Sequence, residues 1–311
     1  MIARACRSVV AVAVVLSSAH CSSEANVTEA FDPSVASDEL SADKFVRVAR
    51  IDAECVDVAC PYALSTLDTG APFATVAGLD LQKVDREGSL AALLAKASDG
   101  EILVRGHVVS PLAVAAPPTS AKVTFAVSEA YLGLPGSKAA WNDRFYRVES
   151  ASPSDDDATD AKATHVFRRV EGPRTAAKAT FDVRPSLATA VDEVWVRSRA
   201  LAHGALVAGN VTSDASGTTF VARQVFVRLP EVEGPCREFK VRACNEGSVL
   251  AFERRPSRCL VPTGCVPETV CREAAPSCAP GYTLRTWTSS AKGCAAYACD
   301  PEFAMGALEW R

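Results

Sequence analysis

Four histidines and two methionines are few for a chain of 311 residues, and no apolar run reaches the length of a membrane-spanning helix. The histidines past the N-terminal segment, His107, His165 and His203, show no helical metal spacing, and His-Glu-x-x-His is absent. There is no Gly-x-Ser-x-Gly elbow and no Cys-x-x-Cys redox pair. The stretch GLPGSK (133–138) lacks the four-residue gap of a phosphate loop. Basic residues are not in excess: 33 against 37 acidic ones leave a formal net charge of −4, which argues against a nucleic-acid partner. The local cluster Arg254, Arg255 and Arg258 reads as a solvated loop. Trp141, Trp195, Trp287 and Trp310 form no visible cluster. No catalytic residue, metal-ligand set or cofactor motif is assigned, and the chain reads as a non-enzyme.

The N-terminus is more informative. Residues 1–20 have the anatomy of a secretory signal peptide: Arg4 and Arg7, an apolar run from Val9 to Leu16, then the small Ser17, Ser18 and Ala19. The run is too short to cross a bilayer as a helix. Without Arg4 and Arg7 the formal charge falls from −4 to −6. Cys6 leaves with the signal, so eleven of the 12 cysteines remain and one is odd. Ser18-Ala19-His20-Cys21 resembles a bacterial lipidation box, departing from it at His20, where a small residue is expected. Lipidation of Cys21 would account for the odd cysteine; cleavage after Ala19 would leave it a free thiol. The chain therefore reads as exported, either anchored to the outer membrane or periplasm as a lipoprotein or secreted, with membrane contact only through a lipid anchor. Residues 21–43 read as a disordered acidic tether, because 24–43 hold six acidic residues, no basic one and no apolar period.

Next comes a repeat. Lys44-Phe45-Val46-Arg47-Val48 matches Arg144-Phe145-Tyr146-Arg147-Val148, and Leu79-Asp80-Leu81 matches Phe181-Asp182-Val183. DGEILVRGHVV (99–109) matches HGALVAGNV (203–211), and KVTFAVSEAYLGLP (122–135) matches TTFVARQVFVRLP (218–230). The offsets are 100, 102, 103 and 95. Two β-rich units follow, 44–136 and 141–231, each long enough to bury a core. β-Branched and aromatic residues alternate at Val123, Phe125 and Val127, and at Phe220, Ala222, Val225 and Val227 with one slip that suggests a bulge. Gly106 and Gly209 fall at matching mid-strand positions, a signal for a bulge or sharp bend. A helix is expected between the early and late strands: LAALLAKAS after Gly88-Ser89, and LATAVDEVW with Ser186 as N-cap. Each unit reads β-β-α-β-β, a small barrel. Asp80 and Asp182 recur as turn residues. The second unit carries an insertion, SPSDDDATDAK (152–162), whose aspartates lack EF-hand spacing and read as a solvated loop.

A second duplication occupies 232–302. Cys236, Cys244, Cys259 and Cys265 are followed by Cys271, Cys278, Cys294 and Cys299, with gaps of 7, 14 and 5 and then 6, 15 and 4 residues. Zinc knuckles need closer pairs, and a catalytic cysteine would not be one of eight in a repeated frame. About 33 residues cannot bury a sufficient core, so disulfides are expected, two within each copy, with the connectivity left open by the spacing. Cys55 and Cys60, in CVDVAC, read as a further bridge. Residues 303–311 form a C-terminal tail. The fold class is therefore mainly β (α+β): two tandem barrel-like units and a small disulfide-rich module.

The strand starts at Phe45 and Phe145, V-S-E-A-Y at 127–131 and the CAPGYTLRTW…GCAAYACDPEF close (278–303) resemble the secreted proteins and lipoproteins that myxobacteria encode in quantity. That resemblance implies no activity and carries over no functional residue. Cys278, Gly281, Tyr282, Gly293 and Cys294 also resemble disulfide-rich protease inhibitors of the antistasin type, whose tighter Cys-x-x-Cys-x-Cys close is replaced here by a four-residue gap. The first expectation is a non-catalytic secreted or cell-envelope protein with a binding or structural role toward an extracytoplasmic partner that the sequence does not name. The alternative is a protease inhibitor acting through a rigid loop of the cysteine module, LRTWTSS (284–290).

Overall fold

The structure is a computed structural model of the chain, and it describes residues 42–50, 61–85, 90, 91, 94, 101–109, 123–140, 142–150, 163–172, 176–202, 205–215, 217–229, 236–289 and 293–304. All of them lie in one compact unit, Val35–Arg311. The signal, Cys21, nearly all of the tether, Cys55, Cys60, the 152–162 insertion, Trp141, His203 and Trp310 lie outside the described residues.

Valine-rich alternation builds the first barrel from β1 (Lys44–Arg50), β2 (Tyr62–Thr66), β3 (Pro72–Val76), β4 (Gly78–Asp80), β5 (Ile102–Val109) and β6 (Thr124–Gly133). In β1, Val46 and Val48 point inward at 1% exposure, as period-2 geometry requires. β1 pairs with β2 and with β5, β2 with β3, and β5 with β6, while β4 runs parallel to β6 and closes the ring. The second barrel repeats this with β7 (Arg144–Ser150), β8 (Thr164–Arg169), β9 (Ala176–Asp182), β10 (Leu206–Asp214) and β11 (Gly217–Leu229). Here β7 pairs with β8 and β10, β8 with β9, and β10 with β11, and β9 runs parallel to β11. A three-stranded meander, a helical crossover and a hairpin closing on the first strand is the wiring of the five-stranded OB-type Greek-key barrel.

The expected helices occur with one shifted start. Leu90, Ala91 and Leu94 are helical, and Leu90 and Leu94 are buried in the first core. In the second barrel α1 (Glu193–Ala202) starts later than expected. Ser186 is not its cap; it closes a 3-10 turn, Arg184–Ser186, by donating its hydroxyl to the Val183 carbonyl. Asp192 caps α1 instead, accepting from the Trp195 N–H at 3.1 Å. The aspartate in the capping position wins because its charge also suits the helix N-terminus.

The two barrels interlock. β6 pairs antiparallel with β11, and Leu132 faces Val227. These two are counterparts at the 95-residue offset, and the pair Gly133–Phe226 maps onto Arg228–Tyr131. A pseudo-twofold axis therefore runs through the Leu132–Val227 pair. Contacts across it are reciprocal: the Arg47 guanidinium lies 4.8 Å from the Phe145 ring, and that of Arg147 lies 5.9 Å from Phe45. Leu134, just past β6, sits in the core of the second barrel, and its counterpart Leu229 sits in the core of the first. Each core is thus completed by a leucine from the other unit.

The cysteine region forms two hairpins, β12 (Ser248–Arg254) with β13 (Leu260–Pro267), and β14 (Tyr282–Thr288) with β15 (Ala295–Pro301). Disulfides join Cys236 to Cys259, Cys244 to Cys265, Cys271 to Cys294 and Cys278 to Cys299. Each copy thus ties its first cysteine to its third and its second to its fourth. Past β15 the expected tail begins with a 3-10 turn, Glu302–Ala304, which packs Phe303 against both barrel cores.

Candidate functional site

The largest question is where the barrels and the disulfide module meet, because that is where the module must hold its place. Ala190 takes a left-handed backbone, φ 62°, which is costly for a residue with a Cβ. That turn points its carbonyl at the Cys299 N–H, 2.8 Å away, and Val191 bridges to the same residue. Tyr282 donates its hydroxyl to the Pro135 carbonyl in the connector between the barrels at 3.1 Å. Burial raises the Tyr282 pKa well above the usual phenol range, so it stays a donor.

Arg254 is the centre of this junction. Its side chain is 7% exposed and pairs with Asp192 at 2.9 Å and with the buried Asp300. Its guanidinium also lies 5.2 Å from the Trp287 ring. Nearby, Arg258 is 2% exposed, with a left-handed φ of 64° and its guanidinium 4.9 Å from the ring of the fully buried Trp195. The solvated-loop expectation for this arginine cluster is therefore corrected: two carboxylates and two indole faces draw Arg254 and Arg258 inside, and of the three Arg255 stays most open, its side chain 52% exposed. Planar, delocalised guanidinium makes that burial tolerable.

Between these elements opens a cleft of about 390 Å³, walled by Ala190, Val191 and Val194 on the barrel side and by Trp287, Tyr297 and Arg255 on the module side. Val194 is 39% exposed, an apolar face turned to the solvent at the mouth. Asp192 is already engaged by the α1 backbone and by Arg254. Trp287 and Val194 offer apolar surface, and Arg255, beyond its 3.4 Å contact to Glu253, offers a cation at the rim. This lining can hold a ligand; among the described residues no nucleophile beside a free base stands in it.

Other polar clusters serve the frame. Asp43 accepts from His107 Nδ1 at 2.8 Å and from the Ser128 hydroxyl at 2.8 Å, and that hydroxyl also reaches the Arg105 carbonyl. The residue types suggest a hydrolytic triad, yet the aspartate stands in the middle, and the serine bonds run to it and to backbone. In the second barrel the counterparts are Asp143, Asn210 and Arg223, with Asn210 donating to Asp143 at 2.8 Å. Both sets latch a bulge in which Ser128 or Arg223 is the extra residue, opposite Gly106 or Gly209. Asp80 and Asp182 each accept the N–H two residues on, at 3.1 and 3.2 Å, as turn residues do. His165 is 1% exposed and edge-on to Phe181, within the second barrel. In GLPGSK, Leu134 is buried and Ser137 donates to its carbonyl, so the stretch is a connector turn.

Residues 284–288 lie in β14, paired along their length with β15, so this stretch of the anticipated inhibitory loop is strand rather than loop. Among the described residues no group of three or more His, Cys, Asp or Glu side chains converges to hold a metal, and no helix is long and apolar enough to cross a membrane. Comparison with protein-family models, curated proteins and solved structures finds none that matches this chain.

Proposed function

We propose that this is a non-catalytic exported protein of the cell envelope that binds an extracytoplasmic partner through the cleft between its second barrel and its disulfide module. The observation that carries this reading is the lining of that cleft: Trp287, Tyr297 and Val194 around Arg255, with Asp192 committed to structure. Four disulfides support an oxidising, extracytoplasmic setting. The signal-like N-terminus and the box around Cys21 support export with a lipid anchor. The barrel topology itself names no ligand.

Two measurements test it. Intact mass of the natively exported protein should show loss of residues 1–20 and a diacylglycerol-type increment on Cys21; an unprocessed N-terminus overturns the export reading. Cell-wall glycan and peptide fragments titrated against the purified protein should change Trp287 fluorescence, and Val194→Asp should abolish the change. Turnover of any of these fragments by the parent protein, lost in an Asp192→Asn variant, would replace binding with catalysis.

A further inference from the structure

The first cysteine repeat holds an exposed segment that nothing in the cleft reading uses. Residues 237–243, Arg-Glu-Phe-Lys-Val-Arg-Ala, have no regular secondary structure and are all exposed, with Phe239 at 37% and Val241 at 48%. No backbone hydrogen bond joins them to any described residue. Their ends do not move freely: Cys236 is tied to Cys259, just before β13, and Cys244 to Cys265, within β13. Arg237 lies over the Phe239 ring at 5.9 Å. Lys240 and Arg242 have no ion-pair or hydrogen-bond partner among the described residues. Lys240 stands in the middle, with three residues between it and each cysteine.

We infer that residues 237–243 form a substrate-like loop that inhibits serine endopeptidases specific for basic residues, with Lys240 entering the protease's acidic specificity pocket. A main chain unpaired with any described residue is what such an enzyme pairs with along its own backbone edge, and a lysine without a partner among the described residues reaches the pocket with no such ion pair to break. The disulfides make the loop an inhibitor rather than a substrate. In the acylation step the protease's serine oxygen bonds to the Lys240 carbonyl carbon, the bond to the Val241 nitrogen breaks, and the serine proton passes through the enzyme's base to that nitrogen. Cys236 and Cys244 keep both new ends on one hairpin. The amine therefore stays beside the ester at high effective concentration. Its attack on the ester carbonyl restores the peptide bond and returns the proton to the serine. The second repeat is an internal control: between Cys271 and Cys278 it carries Arg-Glu-Ala-Ala-Pro-Ser, whose only basic residue, Arg272, adjoins the disulfide.

The test uses the full mature chain against trypsin. One-to-one inhibition is expected, and Lys240→Ala should weaken it by at least about 30-fold, the effect of losing a central anchor. Lys240→Arg and Arg242→Ala should each stay within about threefold of the parent, and reduction of the disulfides should turn the loop into a rapidly cleaved substrate. Rapid cleavage at Lys240–Val241 without inhibition in the oxidised protein overturns the proposal. So does a Lys240→Ala variant that inhibits as well as the parent, or an Arg242→Ala variant that alone abolishes inhibition. The loop and the cleft are tested by different probes, so failure of one leaves the other standing.

Discussion

The two barrels share a backbone and differ in the side chains that finish it. At the bulge, Asp43 with His107 and Ser128 stands where Asp143 with Asn210 and Arg223 stands in the second copy. Next to the extra residue on the bulged strand, Glu129 of the first barrel corresponds to Gln224 of the second. Glu129 binds Arg105, Arg147 and the Tyr131 hydroxyl, whereas Gln224 accepts from the Ala139 N–H. What both copies keep is the glycine, the bulge and one aspartate; what they change is the two side chains that bind that aspartate. The disulfide module lies outside this twofold relation. It bridges to residues 190–192 of the second barrel and hydrogen-bonds the connector at Pro135.

The sharpest way to break the comparison is at the glycines. A Cβ on Gly106 would lie 1.9 Å from the Ala126 carbonyl oxygen, and one on Gly209 would lie 2.1 Å from that of Val221. Backbone cannot yield by that much, so Gly106→Ala or Gly209→Ala should each cost more than about 4 kcal/mol. Urea unfolding should show both variants largely unfolded; equal stability to the parent would mean that the bulge is not fixed by its glycine. The interlocked leucines come next. Leu134→Ala and Leu229→Ala should each cost about 3 kcal/mol. The damage should appear in the opposite barrel: hydrogen exchange should rise in the second barrel for Leu134→Ala and in the first for Leu229→Ala.

Much of this frame was legible in the sequence because it is local or repeated. The offsets of 102 and 95 reappear as matching registers, Leu79 opposite Phe125 and Phe181 opposite Phe220. The mid-strand glycines and the slip after Ala222 mark the observed bulges. The cysteine pairing was legible too, by a signal left unread. Only first-to-third and second-to-fourth bonds give equal spans in both copies, 23 and 21 residues. The seam was not legible. Pairing of β6 with β11 joins residues 95 apart, and a strand that meets a second barrel looks locally like one that meets solvent. Likewise Arg254 and Arg258 read as solvated, because burial of a guanidinium depends on carboxylates and rings from distant segments, here Asp192, Asp300, Trp195 and Trp287.

Converting the first barrel to the chemistry of the second should have milder effects. Burial pushes the Glu129 carboxyl up, but hydrogen bonds from Tyr131 and Arg105 outweigh it and hold the carboxyl below its usual range. Glu129→Gln keeps the shape and removes that charge, and should cost about 1–2 kcal/mol in urea unfolding at neutral pH. A neutral or stabilising result would make the arginine pair on Glu129 a surface ornament.

The smallest effect concerns acid. The hydrogen bond from His107, aided by Ser128 and Arg105 against partial burial, holds Asp43 below the ordinary aspartate value of 3.8. A carboxyl depressed by folding stabilises the protein above its unfolded pKa and loses that contribution as pH falls through the folded one. Between pH 5 and pH 3 the parent should therefore lose stability that His107→Asn, which copies Asn210 of the second barrel, loses to a lesser degree. Both side chains are about a third exposed, so solvent screening keeps the difference under about 1 kcal/mol. Urea midpoints of parent and His107→Asn at the two pH values measure it. An unchanged pH slope would show that the first latch holds its bulge without drawing on the charge of Asp43.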